Sequence, residues 1–207
     1  MNGVTRTIST LLDVARGKGT DKLGPAERMR LISAAGLFSL VCVALWGVAA
    51  GSTSAMLAGA NALKVPMVVL FSSIAALPAG LLALRLSNSP EKASELALSF
   101  ASAVFAGSLV AGVLSPIVAI YYQTSNWAGP YLGMGSVFVS IAVAALLFFR
   151  NAVRGVPKSE QNQRVVPKIV LAVVTLAVLP QLIALASPIL PETTVFDAGV
   201  DSVVRVG

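Results

Sequence analysis

The chain has 207 residues, of which 56% are hydrophobic and only 12% charged, against roughly 25% charged in soluble domains. A mean hydropathy of +0.84 excludes an ordinary water-soluble fold and leaves room for one membrane domain. The net charge of +6 and sequence pI near 9.9 would suit nucleic acid in a polar chain; in one this apolar they record membrane orientation, and no nucleic-acid partner is expected. There is no histidine, which removes imidazole-held haem or chlorophyll, His-containing zinc or copper sites and a Ser-His-Asp triad. The single cysteine, Cys42, permits neither an intrachain disulfide nor a CxxC site and reads as a small packing residue.

Residues 1–30 read as a cytoplasmic, basic N-terminal segment. Val4, Ile8, Leu11, Leu12 and Ala15 recur at helical spacing with Arg6, Asp13 and Arg16 on other faces, which predicts a short amphipathic juxtamembrane helix. It would rest on the inner membrane surface or offer a docking site to a cytoplasmic partner. Gly17-Lys18-Gly19-Thr20 breaks it; this run lacks the upstream glycine, preceding strand and acidic metal ligand of a phosphate loop. Pro25 suits the first turn of the next helix, with Glu27 near its positive end.

Five stretches free of charge then follow, at 31–50, 65–84, 96–122, 131–149 and 169–190. Each reaches the roughly 20 residues that a hydrocarbon core of about 30 Å requires. All should be helical, since an unpaired backbone group in lipid costs several kcal/mol. The fold class is therefore all-α, a polytopic bundle of about five transmembrane helices over 31–190. The connections sort by sign. All of the 15 basic residues except Lys64 and Arg205 lie before the first span or in the second and fourth connections, Lys168 at the edge of the last. By the positive-inside bias these segments are cytoplasmic and the short tail, 191–207, is outside. About 30 residues precede the first span, so it reads as a retained anchor rather than a signal peptide.

Several smaller features go with this topology. Tyr121, Tyr122, Trp127 and Tyr131 cluster around an outer connection and read as interface anchors; Lys64, at an outer edge, reads as a snorkelling side chain, with a headgroup or partner contact as the alternative. Ser89-Pro90-Glu91 looks like a helix start, and Pro167 is expected to start the fifth helix in the same way. The segment 155–166 between spans is polar, basic and loop-like. Ser115-Pro116-Ile117 is echoed by Ser187-Pro188-Ile189 at equivalent depth in another outward-going span.

Inside the five spans there is no Asp, Glu, Lys, Arg or His, which argues against a proton-coupled pump, a voltage sensor or an intramembrane hydrolase. Serines there have no base beside them. No catalytic, cofactor-binding or metal-binding residue emerges, and an enzyme is not expected. What the spans carry is small residues at intervals of four: Ser99, Ala103, Gly107, Ala111 and Ser115 in the third span. Shorter runs are Ser72, Ala76 and Gly80 in the second and Ser136, Ser140 and Ala144 in the fourth, with Gly47 and Gly51 weaker still. Such stripes let another backbone approach, either within the bundle or in an oligomer. Pro66, Pro78, Pro116, Pro180 and Pro188 would kink their helices, as in the broken helices of transporters or in a kinked but closed bundle, which the lack of charged partners favours.

The five-span order, with a cytoplasmic N-terminal segment and a short outer tail, resembles the Yip-type membrane proteins and their bacterial relatives. So does Asn61-Ala62-Leu63-Lys64-Val65-Pro66 leading into the second span. The resemblance implies a non-enzymatic membrane protein acting through partners or on membrane organisation. Eukaryotic members engage small GTPases, but the N-terminal segment here is shorter, so that binding is not carried over. The expectation is a non-catalytic scaffold or accessory subunit, in a bacterial inner membrane by composition. It would pack into a larger assembly or with itself, its basic face meeting anionic lipid headgroups. A transporter or channel component built on the proline-kinked helices is the alternative.

Overall fold

Residues without charge and with high helix propensity over 20 or more positions have one way to satisfy their backbone in lipid, and the computed structural model takes it throughout. It describes residues 3–18, 23–125, 127–154 and 157–186. Among these lie six helices: α1 (Gly3–Ala15), α2 (Pro25–Ala50), α3 (Ala55–Leu86), α4 (Ala93–Thr124), α5 (Ala128–Val153) and α6 (Lys158–Ala186). Five of them, α2 to α6, are long and apolar enough to cross a membrane. The predicted tail and the Ser187-Pro188-Ile189 echo lie outside the described residues.

The helices alternate in direction. One end of the bundle gathers α1, the α3–α4 loop, the end of α5 and the start of α6; we call it the basic end. The other, with the α2–α3 and α4–α5 loops, is the aromatic end. In cross-section the spans run in the order α6, α3, α2, α4, α5, with α5 and α6 meeting more sparsely. Consecutive helices α3 and α4 barely touch, because α2 stands between them. Among the described residues, three apolar clusters fill the interior. Ala76, Leu84, Leu96, Phe100, Phe148 and Leu171 join α3, α4, α5 and α6. Trp46, Ala49, Ala50, Ala111 and Val118 join α2 to α4, and Leu11, Val14, Leu31, Ala35, Leu98 and Phe105 join α1 to α2 and α4. Large apolar side chains such as Leu37, Leu63, Ile74, Leu82, Val113, Phe138, Leu146 and Val173 face outward, the surface expected of a bundle solvated by lipid.

Helix ends follow local chemistry more than the predicted limits. Helix α2 starts on Pro25 after Gly24, with Glu27 in its first turn, as the sequence implies. Helix α3 begins ten residues before the predicted span, on Ser54, whose Oγ accepts from Leu57 N at 3.1 Å; the expected connection 51–64 is therefore mostly helix. It ends where Asn88 takes φ 49°, a conformation asparagine tolerates better than most residues. Two expected starts move. Helix α4 opens at Ala93 rather than at Pro90, because Glu95 Oε2 accepts from Lys92 N at 3.4 Å while Ser89 Oγ accepts only from Glu91 N. Helix α6 opens at Lys158 and runs through Pro167, so most of 155–166 is helical. The missing N–H of Pro167 leaves the Gln163 carbonyl without its helical donor, and Ser87 Oγ donates to that carbonyl at 3.3 Å.

Candidate functional site at the basic end

The small-residue stripes are the geometric frame. All five stripe residues of α4, Ser99, Ala103, Gly107, Ala111 and Ser115, are buried within the chain. At Gly107 a Cβ would stand 2.6 Å from Ser140 O and 2.9 Å from Ala144 Cβ, so the α4 and α5 stripes meet each other at this level. On α3, Gly80 faces Leu171 of α6, whose Cδ1 lies 3.0 Å from a would-be Cβ. The weakest sequence signal marks the tightest crossing: at Gly47 and Gly51 the backbone of α3, at Asn61 and Leu57, is too close for any Cβ. The hairpin turn after Gly51 sets these residues opposite one another, a register that spacing within α2 alone does not reveal. A polar tie crosses the same region, with Trp46 Nε1 donating to the buried Ser136 Oγ at 2.8 Å. Ser136→Ala strands that indole N–H; a loss of about 1–3 kcal/mol is expected, read as a lower unfolding midpoint in detergent with a shifted Trp46 emission in a Trp127→Phe background.

At the aromatic end, Tyr121, Trp127 and Tyr131 are exposed, and the last two rings pack with centroids 5.2 Å apart. Tyr122 differs from the anchor reading. It is half-buried, with its Oη 2.9 Å from where a Cβ on Gly133 would stand, and it seals α4 against α5. Lys64 differs more. It is only 5% exposed, because helical register sets it on the inward stripe of α3 with Asn61, Val68, Ser72, Ala76 and Gly80 and not on the lipid face.

The concentration of ionisable groups lies at the basic end. Arg28, one turn into α2, pairs through Nη2 with Glu95 Oε1 at 2.9 Å and donates from Nη1 to Ser94 Oγ at 3.2 Å. Deeper, Lys168 of α6 is 1% exposed. Its Nζ lies 3.4 Å from Glu91 Oε1, donates to Asn151 Oδ1 at 3.1 Å and sits 5.5 Å from the centroid of the Phe148 ring. Asn151 Nδ2 in turn donates to Val14 O of α1 at 2.9 Å, and Arg154 Nη1 donates to Arg16 O at 3.0 Å. A single polar chain thus links the α3–α4 loop, α6, α5 and α1. Glu91 Oε2 is buried without a hydrogen-bond partner among the described residues. Burial pushes the Glu91 carboxyl above its ordinary range, and the attraction of Lys168 offsets that rise only in part.

None of Arg28, Glu91, Glu95, Asn151 or Lys168 stands out as a site residue in the sequence. A signal was nevertheless present: acids on an otherwise basic side, set at span edges, have most to gain from pairing with a cation across the bundle. Chemically the cluster is a set of neutralised pairs that fixes helix ends.

Comparison with protein-family models, with curated proteins and with solved structures finds no match.

Proposed function

We propose that the chain is a non-catalytic scaffold or accessory subunit of a membrane assembly, with its basic end in the cytoplasm of a bacterial cell and its aromatic end outside the inner membrane. The observation that carries this reading is the way the proline-bearing helices are used. Helices α3, α4 and α6 run unbroken through Pro66, Pro78, Pro116, Pro167 and Pro180. Pro78 and Pro116 lie on exposed faces, Pro66 and Pro180 are half-buried, and the carbonyl freed by the buried Pro167 is taken by Ser87 Oγ. A transporter of the broken-helix type needs the reverse. The seams where Gly107 meets Ser140 and Gly80 meets Leu171 are filled by this chain's own side chains and backbone. A shallow apolar groove between α2 and α4, lined by Leu45, Val48, Gly112 and Pro116, has an exposed rim suited to a lipid tail or a partner helix. The five-span resemblance to Yip-type proteins points the same way, and exposed Arg16, Lys18, Arg150 and Arg154 suit anionic headgroups.

The test is extraction in mild detergent followed by native mass measurement. A defined complex, with another subunit or with itself, is the expected result. A lone chain that carries solute flux in liposomes would favour the transport alternative. Orientation has its own check: reporters fused after Arg154 and after Arg205 must report opposite sides, with Arg154 cytoplasmic.

A further inference from the structure

We propose that α1 is the resident occupant of a helix-binding groove on the bundle, and that an amphipathic helix of a partner protein exchanges with it there. This rests on the accessory-subunit reading only for who supplies the competing helix; the exchange itself is tested with this chain alone.

The groove is built by α4 and α2. Leu98, Phe105 and Leu31 are its buried apolar floor, and Leu11 and Val14 of α1 fill it. The occupant is held on one side only. Of the 13 residues of α1, Leu11, Val14 and Ala15 are buried, whereas its first turn, from Gly3 to Arg6, is exposed. A helix this short is marginal in water by itself, so its order comes from docking.

The polar grips are the second observation. Both act on main-chain carbonyls at the end of α1: Asn151 reaches Val14 O and Arg154 reaches Arg16 O. Neither reads a side chain. That end is closed by Gly17 at φ 75°, with Gly17 N bonded to Val14 O and Lys18 N to Asp13 O, each at 2.8 Å. The carbonyl ends offered to Asn151 and Arg154 are therefore those of any amphipathic helix closed by a left-handed glycine. An apolar trough with carbonyl-reading donors at one end matches helix-in-groove recognition, here filled in cis.

The experiment uses the full chain in detergent micelles and a fluorescent peptide of residues 3–18. Leu11→Ser with Val14→Ser weakens the resident helix and leaves the groove intact. The peptide is expected to bind this variant at least about tenfold more tightly than wild type, where the resident helix competes. Adding Arg154→Ala should weaken it by about threefold, through one lost carbonyl contact. Equal binding to variant, wild type and empty micelles overturns the proposal and makes α1 a surface-seeking helix. If the variant does not fold, hydrogen exchange of the wild-type chain decides. Amides of residues 7–15 should exchange at least about a hundredfold faster than those of 98–109 beneath them. Equal protection makes α1 part of the cooperative core and overturns the exchange.

Discussion

Gly107→Leu is expected to unfold the monomer rather than to release it from a partner. The sequence alone leaves this stripe open to either use, and an oligomer seam would predict a chain that inserts normally but no longer co-purifies. Geometry inside the chain decides otherwise. Even a lone Cβ at Gly107 would meet Ser140 O at 2.6 Å, and the obstacle is backbone of α5, which cannot rotate away. The leucine must push α4 and α5 apart over the level where Ala103 and Ala111 are also buried. Overpacking of this kind costs about 1–3 kcal/mol where side chains can yield, and the upper end or more is expected here because backbone must move. The check is the unfolding midpoint in detergent together with monodispersity. Gly36→Leu is the control, since nothing stands within 4 Å of its Cβ position, and it should leave the midpoint unchanged. A Gly107→Leu chain as stable as wild type would show that α4 and α5 do not pack as described.

How much of this could be read beforehand depends on whether the controlling information is local. Span number is a local sum of hydropathy, and the five long helices follow it. The amphipathic spacing of α1 is local too, and so is its stop at Gly17. The partner of α1 is not: its apolar face meets Leu98 and Phe105, more than eighty positions away, and the periodicity of 3–15 is the same whether lipid or α4 covers it. Pro167 fails for a similar reason. Proline usually opens a helix, but at this position the hydroxyl of Ser87, just past the end of α3, takes the carbonyl that proline leaves free. Lys64 shows the sharpest limit. Proximity to an apolar stretch favours snorkelling, yet one step of helical register turns the side chain from the lipid face to the buried stripe, and register between helices is set by close crossings such as Gly47 on Asn61.

Breaking the Lys168–Glu91 pair from either side is expected to cost about 3 kcal/mol or more at neutral pH, while replacing both residues by apolar ones costs far less. Both side chains are nearly sealed from solvent, at 1% and 6% exposure, so removing one partner leaves the other charge with little water to fall back on. The two single losses differ in their pH dependence. Lys168→Met strands a carboxylate that can take up a proton, and it also removes the attraction that holds the Glu91 carboxyl down. Its damage should therefore be large at pH 8 and shrink as the pH falls. Glu91→Gln removes the titrating carboxyl altogether, so its cost relative to wild type should shrink as the pH rises and the wild type loses this group's contribution. In the wild-type chain burial raises the Glu91 carboxyl above its ordinary range, so the folded form holds its proton at pH values where the unfolded form has lost it. By linkage, this group's contribution to stability is full below the ordinary carboxylate range and declines as pH rises through the raised value. Glu91→Gln should abolish that decline. Glu91→Leu with Lys168→Met should recover most of the lost midpoint and leave no slope, with a coupling of about 2–3 kcal/mol between the two sites. Purely additive losses would mean that the two groups do not act as a pair, and that Asn151 and Phe148 alone hold Lys168 in place.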